Sequence, residues 1–172
     1  SIPIMSVMMQ YAEKLGYRAK GSNPCRGVSR FKRDLSERYL SADEYRRLGY
    51  VLANHDGANP FIVPALLMLI YTGARVSEIA TLRWRYVQVP RLALPDSKTG
   101  PKTIYLNPQA IEVLDDLERR DDDDLVFPAM HCEKPINLGQ HWAKIRRKAA
   151  LPDVRLHDLR HSFASVAIAK GI

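Results

Sequence analysis

Ile62-Val63-Pro64-Ala65-Leu66-Leu67-Met68-Leu69-Ile70-Tyr71, running into Thr72-Gly73-Ala74-Arg75, is the stretch on which the fold turns. A run that is apolar on every side makes a helix with no face for water, and such a helix is normally enclosed by other elements. Asn59-Pro60 breaks the chain just before it. Gly73 ends it, because glycine reaches the left-handed closing conformation without a Cβ penalty. A further helix is expected over about 75–82, with Val76, Ile79 and Leu82 turned inward and Arg75 in its first turn.

Upstream, Ser41-Ala42-Asp43-Glu44 has the form of a capping box, with Leu40 and Tyr45 placed to make a hydrophobic staple. The helix it starts reaches about Ala53 and puts Tyr45, Leu48 and Leu52 on one face. Residues 4–15 form an earlier helix, with Ile4, Val7 or Met8, Tyr11 and Leu15 at helical spacing. Gly21-Ser22-Asn23-Pro24 breaks it, and residues 24–38 are basic and show no period, as a linker does.

Downstream, Tyr86–Val89, Arg91–Leu94 and Thr103–Leu106 are short and β-prone. The last two flank Asp96-Ser97-Lys98-Thr99-Gly100-Pro101, a hairpin signal with a longer loop. Asn107-Pro108 supplies an N-cap and first-turn proline for a helix to about Arg120, with Ile111, Leu114 and Leu117 inward. Arg119 and Arg120 are expected at its negative end. Asp121–Asp124 read as a solvated turn. Asn137 caps a helix to about Ala149, with Trp142, Ile145 and Ala149 as its apolar stripe. A last helix is expected over 157–170, locked by Leu159, Phe163 and Val166 and capped by Gly171. The fold class is mainly α with a small antiparallel β-sheet (α+β). The organisation is a tail helix of a preceding domain (1–20), a basic linker (21–39) and a compact domain from residue 40.

The bulk properties agree with one full domain and a polyanionic partner. The chain has 172 residues, 46% of them hydrophobic, and a formal charge of +7. Residues 1–50 hold ten Lys/Arg against five Asp/Glu, whereas residues 101–150 hold eight against nine, so the basic character is concentrated toward the front. Cys25 and Cys132 are far apart and form no CxxC pair, as fits a reducing cytosol. His131-Cys132 lacks a second ligand pair and reads as a surface loop. No apolar run is long enough to span a bilayer, and the apolar start lacks a basic n-region.

The chemistry-bearing residues fall in three boxes. Thr72-Gly73-Ala74-Arg75-Val76-Ser77-Glu78 offers Arg75 beside a glycine turn. Ser97-Lys98-Thr99-Gly100 offers Lys98 on a hairpin tip. His157-Asp158-Leu159-Arg160-His161 puts His157 and Arg160 three apart, on one helix face. Converging, Arg75, Lys98, His157 and Arg160 would surround one phosphate. Phosphodiester reactions build negative charge on the non-bridging oxygens, and planar arginine forks stabilise it. Further phosphate contacts are expected from Arg30, Lys32 and Arg33 in the linker and from Lys144, Arg147 and Lys148, within a run where four cations occupy five positions.

These boxes resemble the catalytic domain of the tyrosine recombinases, or phage integrases. Thr72 to Glu78 is similar to the family's Thr-Gly-x-Arg-x-x-Glu box and Leu82-Arg83-Trp84 to its Leu-x-Trp continuation. Ser97-Lys98-Thr99 resembles its hairpin lysine motif, and His157 to Ala164 its His-x-Leu-Arg-His-(Ser/Thr)-Phe-Ala box. Asn23-Pro24 and Gly27-Val28 are similar to the linker that precedes this domain. The resemblance implies the tyrosine recombinase catalytic-domain fold over residues 40–172, lacking its C-terminal segment, with residues 1–20 ending a core-binding domain. It implies strand cleavage and rejoining through a 3′-phosphotyrosyl intermediate. Arg75 and Arg160 would hold the non-bridging oxygens, His157 would assist, and Lys98 would protonate the leaving 5′-oxygen. Glu78 would orient Arg75, and His161 would be a buried neighbour.

The resemblance implies no cofactor and no metal. It implies duplex DNA as partner, self-assembly into a tetramer on DNA, and accessory DNA-bending proteins. It also implies a cytoplasmic, bacterial or phage-encoded setting. No tyrosine follows Arg160, and Tyr71 and Tyr105 read as core or hairpin residues, so the nucleophile is expected outside this chain. Tyr86 stands where the family usually has an acid. The alternative is a non-enzymatic helical DNA-binding module. A metal-dependent phosphodiesterase would want carboxylates near the basic boxes, where none cluster.

Overall fold

The computed structural model describes residues 2–29, 38–95, 100–130 and 134–169. It divides into two units, Ser1–Ser36 and Glu37–Ile172. In the first, helix α1 (Ile2–Lys14) is followed by turns, and the buried Asn23 donates its Nδ2 to the carbonyl of Ser6 at 3.0 Å. The α1 stripe of Ile4, Val7, Met8, Tyr11 and Leu15 is exposed.

The second unit is organised around the apolar helix, α3 (Ile62–Thr72). Ile62, Ala65, Leu66, Met68 and Leu69 are fully or almost fully buried. Each large side chain so placed contributes roughly 1.5–3 kcal/mol. Pro64 is tolerated because it sits in the first turn, where its missing N–H would have no partner in the helix. Around α3 pack α4 (Val76–Ala80), α5 (Pro108–Asp115), α6 (Leu138–Lys148) and α7 (Leu156–Ala169). The remaining helix, α2 (Ala42–Ala53), packs on α6. Its capping box forms as expected, with the Glu44 amide donating to the Ser41 hydroxyl and the Ser41 amide to the Glu44 carboxylate.

Three antiparallel strands, β1 (Val87–Gln88), β2 (Arg91–Leu94) and β3 (Lys102–Tyr105), form a sheet in that order. The register pairs Val87 with Leu92 and Leu92 with Ile104, so one apolar face turns into the core. The fold class is thus mainly helical with a small antiparallel sheet.

Several local expectations are corrected. Helix α4 stops at Ala80, and Arg75 is its N-cap residue rather than part of its first turn. Helix α5 ends at Asp115, short of Arg120. Arg119 instead lies 5.5 Å from the Trp84 ring and pairs with Asp122 at 3.0 Å. The acidic run is the solvated turn expected, and its backbone also serves the fold: the Trp84 and Arg85 amides donate to the carbonyls of Asp124 and Asp122. Asn137 occupies the N-cap position of α6 but makes no side-chain cap bond. Helix α7 starts at Leu156, and Val166 is exposed rather than locking it. Gly171, His131 and Cys132 lie outside the described residues.

Candidate active site

The site grows from the turn between α3 and α4. Gly73 caps α3 at φ +60, and its amide returns to the carbonyl of Leu69. Phe163 of α7 lies directly over it, so a Cβ at this position would stand 2.9 Å from Cγ and 3.1 Å from Cε1 of that ring, and nearer still to Cδ1. Glycine is therefore required twice, for its backbone angle and for the approach of α7. Thr72 donates its hydroxyl to Met68 and accepts from the Ala74 amide at 3.2 Å, which stiffens the turn.

Arg75 follows. Its amide and its guanidinium both donate to Glu78, each at 2.8 Å. The Glu78 side chain is only 5% exposed and accepts a third bond, from Lys102 Nζ on β3 at 2.9 Å. Burial alone would raise this carboxyl. The Arg75 amide, Lys102 and the Arg75 guanidinium outweigh it and hold the group below the ordinary carboxylate range.

The second arginine comes from the other end of the chain. Arg160 on α7 donates to the carbonyl of Gly73, 87 residues earlier. The two arginine boxes therefore meet at one turn. Beside them lies a cavity of about 340 Å³ lined by Gly73, Lys102, Tyr105, Arg160 and Phe163, among others. Tyr105 is 76% exposed on its wall, a hairpin residue but not a core one. Neither Arg75 nor His157 lines this cavity; in sequence they lie two residues from Gly73 and one helical turn from Arg160.

His157 is exposed in the first turn of α7, edge-on to His161 with ring centroids 4.6 Å apart. Partial desolvation, His161 and Arg160 lower its pKa, in that order of weight. His161 is only half-buried. Between them, Asp158 is fully buried and caps α7: it accepts from the Arg155 amide at 2.7 Å and from the Arg155 guanidinium through both oxygens. Burial would raise its pKa, but the Arg155 bonds bring the net shift down. Helix α7 is tied in further by Ser162, whose hydroxyl donates to the Asp158 carbonyl at 2.7 Å and accepts from the Leu40 amide at 2.9 Å.

Of the other candidates, Lys98, Arg30, Lys32 and Arg33 lie outside the described residues. Lys144, Arg147 and Lys148 are exposed on α6. Lys144 and Lys148 border a different cavity of about 520 Å³, with His55 and His141, and Lys148 stands 3.6 Å from Asp56. Among the described residues no three His, Cys, Asp or Glu side chains are grouped so as to hold a metal ion, and no helix is long and apolar enough to cross a membrane.

Lys102 and the Arg155–Asp158 pair were not singled out from sequence. The second carried a readable signal, an acid three residues after a helix-capping position, the same arrangement as Arg75 and Glu78. Lys102 carried none, because its partner is 24 residues away.

Residues 38–172 match the phage integrase family. The chain is 28% identical over 173 residues to the prophage phiRv2 integrase of Mycobacterium tuberculosis, covering 87% of this chain and 46% of that protein. It is 32% identical over 117 residues to the prophage integrase IntF of Escherichia coli K12, covering 63% and 25%. The chain thus spans less than half the length of these relatives. Among solved structures, a lambda integrase(75–356) dimer bound to a COC′ core site superimposes with a TM-score of 0.70 at 19% identity, covering 98% of this chain and 65% of that one. The XerA recombinase gives 0.66 at 19% identity, covering 98% and 60%. These likenesses establish the tyrosine recombinase catalytic-domain fold.

Proposed function

The chain belongs to the phage integrase family, and from that premise we propose that it is part of a site-specific recombinase that cuts and rejoins duplex DNA through a 3′-phosphotyrosyl intermediate. The observation that carries this reading is the Arg160 bond to the Gly73 carbonyl, which seats both arginine boxes at one turn. Two fixed guanidinium groups suit a phosphate whose non-bridging oxygens gain charge, and they need no rearrangement as the charge develops. We assign the non-bridging oxygens to Arg75 and Arg160. His157 is assigned to hydrogen-bond there, and Lys98 to protonate the leaving 5′-oxygen. The nucleophile is assigned to a tyrosine outside residues 1–172.

Residues 1–20 are read as the end of a core-binding domain and 21–39 as a linker whose Arg30, Lys32 and Arg33 contact phosphates together with Lys144, Arg147 and Lys148. Assembly as a tetramer on DNA, accessory DNA-bending proteins and a bacterial or phage-encoded, cytoplasmic setting belong to the same proposal. One likeness bears on assembly: a lambda integrase tetramer has been solved bound to a Holliday junction.

Nicked suicide DNA substrates test the assignment. In a longer protein that includes the tyrosine segment, Arg75→Ala should lower covalent adduct formation by at least about 100-fold while duplex affinity changes little. Lys148→Ala should weaken affinity and reduce the salt slope by about 1 with cleavage retained at saturating protein. A non-enzymatic binding module predicts that both substitutions act on affinity alone. A covalent adduct formed by residues 1–172 and lost in Tyr105→Phe would move the nucleophile to Tyr105.

A further inference from the structure

We propose that Lys102 is a positioning residue for Arg75, neutralising Glu78 so that this carboxylate can orient the guanidinium without cancelling its charge. The inference rests on the recombinase reading above and deepens it.

Glu78 alone would be a poor partner for an arginine that must bind phosphate. A buried carboxylate 2.8 Å from a guanidinium leaves a pair with no net charge. A phosphate approaching it would meet the carboxylate's repulsion together with the arginine's attraction. Lys102 changes that balance. Its ammonium stands 2.9 Å from the other carboxylate oxygen, and its side chain is 26% exposed, well shielded from water. The triad of Arg75, Glu78 and Lys102 keeps one positive charge, and it faces the turn that also seats Arg160. The carboxylate is left only the task of geometry, holding the Arg75 amide and guanidinium together.

The placement of Lys102 adds a second restraint. It pairs with Leu94 at the loop end of the β2–β3 hairpin, the last pair before the connection that includes Lys98. Lys102 also lines the cavity beside Arg160. One ammonium thus ties the loop end of the hairpin to Glu78, and through it to Arg75.

The test uses the longer recombinase with its tyrosine segment, in single-turnover cleavage of a suicide substrate, with duplex affinity and the thermal midpoint measured in parallel. Lys102→Ala should slow cleavage by about 10- to 100-fold, the scale of a small misplacement of a catalytic group. Affinity should stay within about threefold. Lys102→Arg should restore the rate to within about threefold. The double variant Lys102→Ala/Glu78→Gln decides between charge and mere fastening. It removes the uncompensated carboxylate without rebuilding the tie, and it should cleave faster than Lys102→Ala. Should the alanine variant fold poorly, Lys102→Gln in place of alanine gives the same comparison. Wild-type cleavage by Lys102→Ala would overturn the proposal, as would a double variant no faster than the single. Arg75→Ala is the control that separates the two layers. If it cleaves normally, the recombinase reading fails. If it is inactive while Lys102→Ala is unimpaired, only the role of Lys102 fails.

Discussion

Gly73→Ala is the sharpest probe of the architecture, because two independent costs meet at that residue. The first is the backbone: at φ +60 an L-residue loses roughly 1–2 kcal/mol against glycine. The second is packing. The added methyl would stand 2.9 Å and 3.1 Å from two ring atoms of Phe163, closer than side chains normally approach, and nearer to a third. The ring is part of α7 and cannot withdraw freely, so relief requires a shift of that helix, and overpacking of this kind costs about 1–3 kcal/mol. Together the loss is about 2–5 kcal/mol, a large part of the ~5–15 kcal/mol that keeps a domain folded. At about 2–4 °C per kcal/mol for a domain of this size, the thermal midpoint should fall by roughly 5–20 °C. Differential scanning calorimetry reads it directly. Gly73→Ala/Phe163→Leu should recover the packing part and not the backbone part. A midpoint unchanged within about 2 °C, or a double variant no more stable than Gly73→Ala, would refute the close approach of α7 to the turn.

Two further outcomes follow from the electrostatics. The bonds from Arg38 and the Ser41 amide push Glu44 down from 4.5 to about 2. A depressed carboxylate adds stability above its unfolded pKa and loses it as pH falls toward the folded one. Urea midpoints should therefore drop between about pH 4.5 and pH 2, and Arg38→Met should flatten that limb. A variant with the parent's acid profile would contradict the pairing. His157 should titrate below 6.5 by proton NMR, and His161→Gln should move the midpoint upward, since His161 is among the causes of the depression. No movement would show that the ring pair is not formed in solution.

Much of the fold was legible because the signals were local. The Ser41 capping box, the left-handed Gly73, the Asn107-Pro108 start of α5 and the β2–β3 hairpin each declare themselves within a few residues, and each appears where expected. The errors lie where a distant partner decides. Arg119 and Arg120 look like the last turn of a helix until Trp84 and Asp122 claim Arg119. Asn137 has the right residue type for a cap, but its side chain makes no cap bond. The pairing of Arg75 with Glu78 is short-range and was readable; the third member, Lys102, required the sheet to be placed against α4.

Helices α4 and α7 open in the same way, on an arginine whose own amide and guanidinium both return to an acid three residues on. Removing either acid releases a helix start and an arginine fork in one stroke. In an alanine survey of this region, positions 78 and 158 would rank with the residues proposed to contact DNA while being buried themselves. Amide-for-acid exchanges at those two places, compared with alanine, would sort scaffolding losses from chemical ones.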